Sequence, residues 1–126
     1  MRSFVRGDEV VAEWRAEPYL EAYPGIVNAG IIGAVLDCHA GAAAAWYLMR
    51  RAADQRPRLV ITAEFAVRLR RPTPSKAPLA LVARFVEATE ERAVVEAELR
   101  AAGELCAQLR GTFVVLKPEH AAFKPW

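Results

Sequence analysis

One carboxylate interrupts an otherwise apolar run. Residues 31–49 read IIGAVLDCHAGAAAAWYLM, where Asp37 is the only carboxylate and His39 the only imidazole. A charge in such a segment is costly unless something satisfies or neutralises it. A small protein is expected to keep an acid there for use rather than for stability. Seven residues upstream, Gly30 closes the turn YPGIVNAG at 23–30. The pattern reads as a loop delivering a helix N-terminus, followed about two turns later by a reactive acid. Helix N-termini present free N–H groups to negative charge. A positioned carboxylate can draw a proton from water.

These groups need a helix and something to cover it. Residues 30–51 form the one convincing helix, with Asn28 as N-cap and Arg50 and Arg51 matching the dipole at its end. The helix is apolar nearly all round and must be covered on most sides. Residues 8–15 predict a first strand, and 17–25, with two prolines and a glycine, a turn or irregular segment. After residue 56 the period becomes two. Leu59, Ile61, Ala63, Phe65, Val67 and Leu69 fall on one face, and Thr62, Glu64, Arg68 and Arg70 on the other. Further strands are expected at 79–87, 92–101 and 105–116, joined by short links, which implies an antiparallel meander. One long helix plus this sheet gives an α+β domain. Gly33, Gly41 and Ala44 lie near Asp37. They either admit another backbone close to the acid or only permit tight helix–sheet packing.

Bulk properties narrow the choice further. The chain has 126 residues, 54 % of them apolar, with a net charge of +2. That suits one domain over 1–126 with a real core. The basic residues are dispersed and no nucleic-acid motif occurs, so no nucleic-acid partner is expected. Cys38 and Cys106 make no CxxC pair, and the N-terminus lacks a long apolar leader, so a cytoplasmic setting is expected. Residues 31–49 have about the length of a ~20-residue membrane span. Their alanines and two ionisable groups favour a buried helix of a soluble protein, and no membrane partner is expected.

Three features occur in order: the turn PGIVNAG at 24–30, the acid in AVLDCH, and the strand ITAEFAVRLRRPTP running from Thr62-Ala63 to Arg71-Pro72. Together they resemble the hotdog-fold acyl-CoA thioesterases of the phenylacetate-degradation and related thioesterase-superfamily type. The resemblance reaches to about Leu116. It implies a hotdog fold, a long central helix wrapped by a curved antiparallel sheet, that assembles as a homodimer or homotetramer. The active site would lie between two subunits, with the acid facing the neighbour's helix N-terminus.

The resemblance implies hydrolysis of an acyl-CoA thioester to free acid and CoA. Asp37 would be the base or nucleophile. Ala29, Gly30 and Ile31 would supply backbone N–H groups to the developing oxyanion, each such donor being worth roughly 3 kcal/mol. Gly30 lets substrate approach without a Cβ. The chain departs from the usual His-Gly-Gly with Asn28-Ala29-Gly30. Asn28 can donate a hydrogen bond but cannot shuttle protons, and its other role is the N-cap. Gly41 stands where some relatives carry a hydroxyl, so Thr62 is the candidate to position water or substrate. Arg70, Arg71 and Lys76 surround the strand end and are candidates for the nucleotide phosphates. The small residues Ala34 and those at 40–45 leave room for an acyl chain.

Other residues attract blander readings. Cys38 and His39 diverge by ~100° on a helix and do not face each other. Cys38 is expected to be a buried thiol, and His39 a packed or interface residue. Only Asp37, His39 and His120 offer loose metal ligands, so no metal and no cofactor are expected. The tail 121–126 either docks on a partner or frays. Two other activities compete with hydrolysis. A hotdog protein can bind acyl-CoA without cleaving it, as the departures at Asn28 and Ala29 suggest. A hydroxyacyl dehydratase needs a His in the turn, where this chain has Ala22-Tyr23-Pro24-Gly25.

Overall fold

A computed structural model describes residues 1–116. His120 and the tail at 121–126 lie outside the described residues. Two strands, β1 (Ser3–Arg6) and β2 (Glu9–Trp14), form a hairpin closed by Gly7 at φ 61°. A 3-10 turn at Pro18–Leu20 leads to a small hairpin of β3 (Glu21–Tyr23) and β4 (Ile26–Val27). Helix α1 (Ala29–Arg51) follows, then β5 (Val60–Leu69), β6 (Leu79–Ala88), β7 (Arg92–Ala101) and β8 (Glu104–Val115). The main sheet is antiparallel in the order β1-β2-β6-β7-β8-β5.

The meander at 79–116 follows the alternation of its residues. In β7, Ala93, Val95, Ala97 and Leu99 are buried, while Arg92 and Glu96 are exposed. Ala102 at φ 49° and Gly103 at φ 82° turn β7 into β8 as a two-residue hairpin, the geometry whose twist matches its strands. Behind this sheet, Ile32, Leu36, Ala40, Ala43, Ala44 and Leu48 of α1 meet Leu79, Leu81, Leu99, Leu109 and Phe113. By length and composition α1 could cross a membrane. Here its buried side chains meet the sheet.

Several expectations are corrected. The strand expected at 8–15 is β2, but a further strand, β1, precedes it, and 17–25 contains β3. Helix α1 starts at Ala29, one residue early. Gly33 approaches Val67, Gly41 faces the Phe113 ring and Ala44 is fully buried, so this stripe packs helix on sheet. Among the small residues, Ala40, Ala43 and Ala44 are fully buried core residues, whereas Ala34 and Ala42 are exposed. Cys38 is exposed, not buried, because its side of α1 points away from the sheet with Ala34 and Ala42.

The largest correction concerns β5. Its register against β8 shifts between Thr62 and Glu64, a bulge that puts Ala63 out of step. A bulge inserts one residue and exchanges the faces beyond it. Ile61 pairs with Val114, whereas Thr62 pairs with the buried Phe113, Phe65 with Gly111 and Val67 with the buried Leu109. The apolar residues at 59–69 therefore do not share one face. Thr62, expected among the charged residues, lies on the helix-facing side with Phe65 and Val67.

Candidate active site

The bulge decides the chemistry at Asp37. On the helix-facing side, the Thr62 hydroxyl donates to Asp37 Oδ1 at 2.8 Å. Asp37 is half-buried, so one face of the carboxylate is tied to the sheet while the residue still meets solvent. Thr62 and Asp37 are 25 residues apart, and the bond pins the middle of α1 to β5.

The helix start is organised by Asn28. Its Oδ1 accepts the Gly30 N–H at 2.8 Å, and its carbonyl accepts the Ile32 N–H at 3.1 Å. Its own N–H donates to the Leu20 carbonyl at 2.8 Å. An α-helix leaves its first N–H groups without intrahelical partners. With Gly30 capped, Ala29 and Ile31 hold the remaining first-turn N–H groups. Asn28, Ala29 and Gly30 are all exposed. Because Oδ1 makes the cap, the Asn28 amide NH₂ keeps its donor capacity, so capping and donation are compatible in one side chain. From Gly30 to Asp37 the helix rises about 10 Å.

The three basic candidates do not converge. Arg70 donates to Gln108 Oε1 at 2.8 Å, and Arg71 pairs with Glu104. Lys76 lines a separate cleft of about 290 Å³ with Arg15, Glu21 and Ser75. A larger cavity, about 740 Å³, lies toward the far end of α1 against Tyr47, Arg50, Arg51, Arg84 and Phe85, and its lining includes neither Asp37 nor Thr62.

His39 is fully buried. Nε2 lies 2.8 Å from the Val10 carbonyl, which only accepts, so Nε2 carries the proton. Nδ1 then accepts from the Ser3 hydroxyl at 2.8 Å. Burial pushes the imidazole pKa below its ordinary value, partly offset by the Val10 bond. His39 thus staples the N-terminal hairpin to α1 as a neutral side chain. Of the two expectations for His39, packed or at an interface, the structure shows it packed, with partners 36 and 29 residues away in the chain.

Comparison with known proteins agrees with this geometry. The family model described as the thioesterase superfamily matches residues 24–107, well over half of the chain. The chain belongs to the thioesterase superfamily. A thioesterase superfamily protein from Shewanella loihica is 28 % identical with a TM-score of 0.78, over 92 % of this chain and 90 % of that one. A Bacillus halodurans protein crystallised with CoA is 26 % identical with a TM-score of 0.72, covering 92 % and 74 %. A Haemophilus influenzae thioesterase shares the fold at 16 % identity and a TM-score of 0.79, covering 94 % and 79 %. None of the curated proteins compared matches the chain. The helix and six-stranded antiparallel sheet are the hotdog fold that the turn, acid and strand motifs implied. The residues matched by the family model include the whole turn at 24–30, Asp37 and Thr62.

Proposed function

We propose that this thioesterase-superfamily protein hydrolyses an acyl-CoA thioester to a free acid and CoA, with Asp37 as the general base. The observation that carries the reading is the Asp37 carboxylate oriented by Thr62 on the central helix. The CoA bound to the Bacillus halodurans relative supports the thiol half of the substrate.

In the proposed reaction, Asp37 takes a proton from water as the water oxygen bonds to the thioester carbon. The carbonyl electron pair moves onto oxygen, facing the Ala29 and Ile31 N–H groups and the Asn28 amide. Preorganised donors aimed at such an oxygen are usually the largest single contribution to rate. When the carbonyl re-forms, the carbon–sulfur bond breaks, and the proton held by Asp37 passes to the leaving CoA sulfur. Water supplies the acid oxygen, so no cofactor enters.

Completion of the site by a second copy belongs to the same proposal. Strand β5 is a ten-residue sheet edge. Ile61, Phe65 and Leu69 on it are each about half exposed. Long apolar edges seek a partner. In a homodimer built on β5, Asp37 of one protomer would serve a thioester held at the partner's helix start.

Free thiol release from short, long and aromatic acyl-CoA esters tests the reading, with Asp37→Asn beside wild type and light scattering reporting the mass. Turnover by a dimer that falls about 10²–10⁴-fold in the variant supports it. A second reading, binding without cleavage, is favoured by the Asn28 cap on Gly30 N–H. It prevails if the esters bind a folded protein and none is cleaved.

A further inference from the structure

The turn that presents the start of α1 is held by a side chain that the reaction above does not use. Glu21, in β3, accepts the Gly25 N–H at 2.8 Å and the Ser75 hydroxyl through the same oxygen, Oε2. Ser75 is buried in the segment after β5, and its own N–H returns to the Gly25 carbonyl at 2.9 Å. Beside this pair, the Val27 N–H donates to the Thr73 carbonyl at 2.9 Å, and Ile26 bridges Pro74. Residues 25–28 are thus gripped from both sides, by the chain before them at Leu20 and Glu21 and by the chain at 73–75. Glu21 is the side chain that touches both.

A carboxylate suits this place. Two donors converge on one oxygen, and an ionised carboxylate only accepts. The Ser75 hydroxyl, then the Gly25 N–H, hold the Glu21 carboxyl below its ordinary range, and Lys76 adds a favourable charge. Gly25 sits at φ 85°, a left-handed conformation that a glycine turn adopts readily and also leaves readily. Without an anchor the turn has other conformations to visit, and the N–H groups of residues 29–31 follow it directly.

We propose that Glu21 is a positioning residue for the hydrolase: by fixing the turn at 23–28 it aims the Ala29 and Ile31 N–H groups. The proposal rests on the hydrolase reading. Donor geometry must hold to within about 0.5 Å to be productive. A misplacement of about 1 Å costs on the order of 100-fold in rate. A carboxylate two hydrogen bonds removed from the reacting atoms therefore bears on kcat without touching substrate.

The test compares wild type, Glu21→Gln, Glu21→Ala and Ser75→Ala by thiol release and by amide hydrogen exchange. In Glu21→Ala, kcat should fall about 10- to 100-fold with KM changed less than about threefold. Peptides covering 24–31 should exchange faster while those from β6–β8 stay as in wild type. Glu21→Gln retains one accepting oxygen and should lie between wild type and Ala. Ser75→Ala is the milder substitution that decides the matter if Glu21→Ala does not fold. Faster exchange with unchanged kcat would show a staple that only stabilises the loop, and would overturn the positioning role. Unchanged exchange at 24–31 would overturn it too. A wild-type protein that cleaves no thioester overturns the hydrolase reading and this proposal with it, whereas active wild type with an unaffected Glu21→Ala overturns the proposal alone.

Discussion

Replacing Thr62 by valine removes one hydroxyl and little else. Valine has nearly the same shape and favours a strand as strongly as threonine. The bond lost is the 2.8 Å donation to Asp37 Oδ1. Hydrogen bonds to charged groups are worth about 1.5–3 kcal/mol. If Asp37 needs that bond to hold its rotamer toward water, the whole amount is lost in the transition state. At 1.36 kcal/mol per tenfold this is about 10- to 150-fold in kcat. KM should change little, because the hydroxyl is directed at the acid. The assay is thiol release at saturating acyl-CoA, with circular dichroism and a urea midpoint to establish that the fold is unaltered. Thr62→Ser restores the donor and should recover most of the rate. A folded Thr62→Val protein with kcat within about twofold of wild type would refute the reasoning, since the bond would then do no more than pin α1 to β5.

Other perturbations follow from the same contacts. His39 has a depressed pKa in the folded protein, so its contribution to stability is present above about pH 6.5 and is lost as pH falls through the folded value. Urea unfolding between pH 7.5 and 5 should show stability declining by less than about 1.4 kcal/mol per unit, with a flatter profile in His39→Leu; equal slopes would contradict the assignment. Asn28→Asp keeps the cap on Gly30 and adds a negative charge at the helix start, raising stability by about 0.3–1 kcal/mol. It should lower kcat about tenfold or more by opposing the oxyanion; a rise in both would place the oxyanion elsewhere. A Cβ on Gly111 would meet the Phe113 ring at 2.9 Å. Gly111→Ala should therefore cost about 1–3 kcal/mol in urea unfolding, and an unchanged midpoint would mean the ring yields freely.

Much of the fold was legible because its signals are local. Strict alternation predicts a strand over 92–101, and β7 spans Arg92–Ala101. Asn28, the apolar run and the closing arginines bound α1 to within one residue of its start. A short link at 102–104 is expected between two alternating runs, and the structure turns there at Ala102-Gly103. Each depends on interactions spanning a few residues, which composition and period report directly. The strand at 8–15 is legible in the sequence, whereas β1 before it has only four residues, too few to show a period.

Asp37 stood out by type alone, an acid in an apolar run, and its place on the central helix followed from local propensity. Its partner did not. Thr62 counted as a polar-face residue under simple alternation, and only the unpaired residue at Ala63 turns it toward the helix. Arg70, Arg71 and Lys76 are close in the chain, yet each finds a different neighbour. Glu21 and Ser75 are 54 residues apart. Periodicity assigns faces only while the register is unbroken, and a bulge is decided by how two distant strands pair. Long-range hydrogen bonds form only after the chain has paid loop-closure entropy, so nothing in a local window reports them. The sequence by itself determined the central helix, β2 and the strands from β5 to β8, their order, and the acid at their centre. The tertiary structure decided which side chains orient that acid and what holds the turn in front of it.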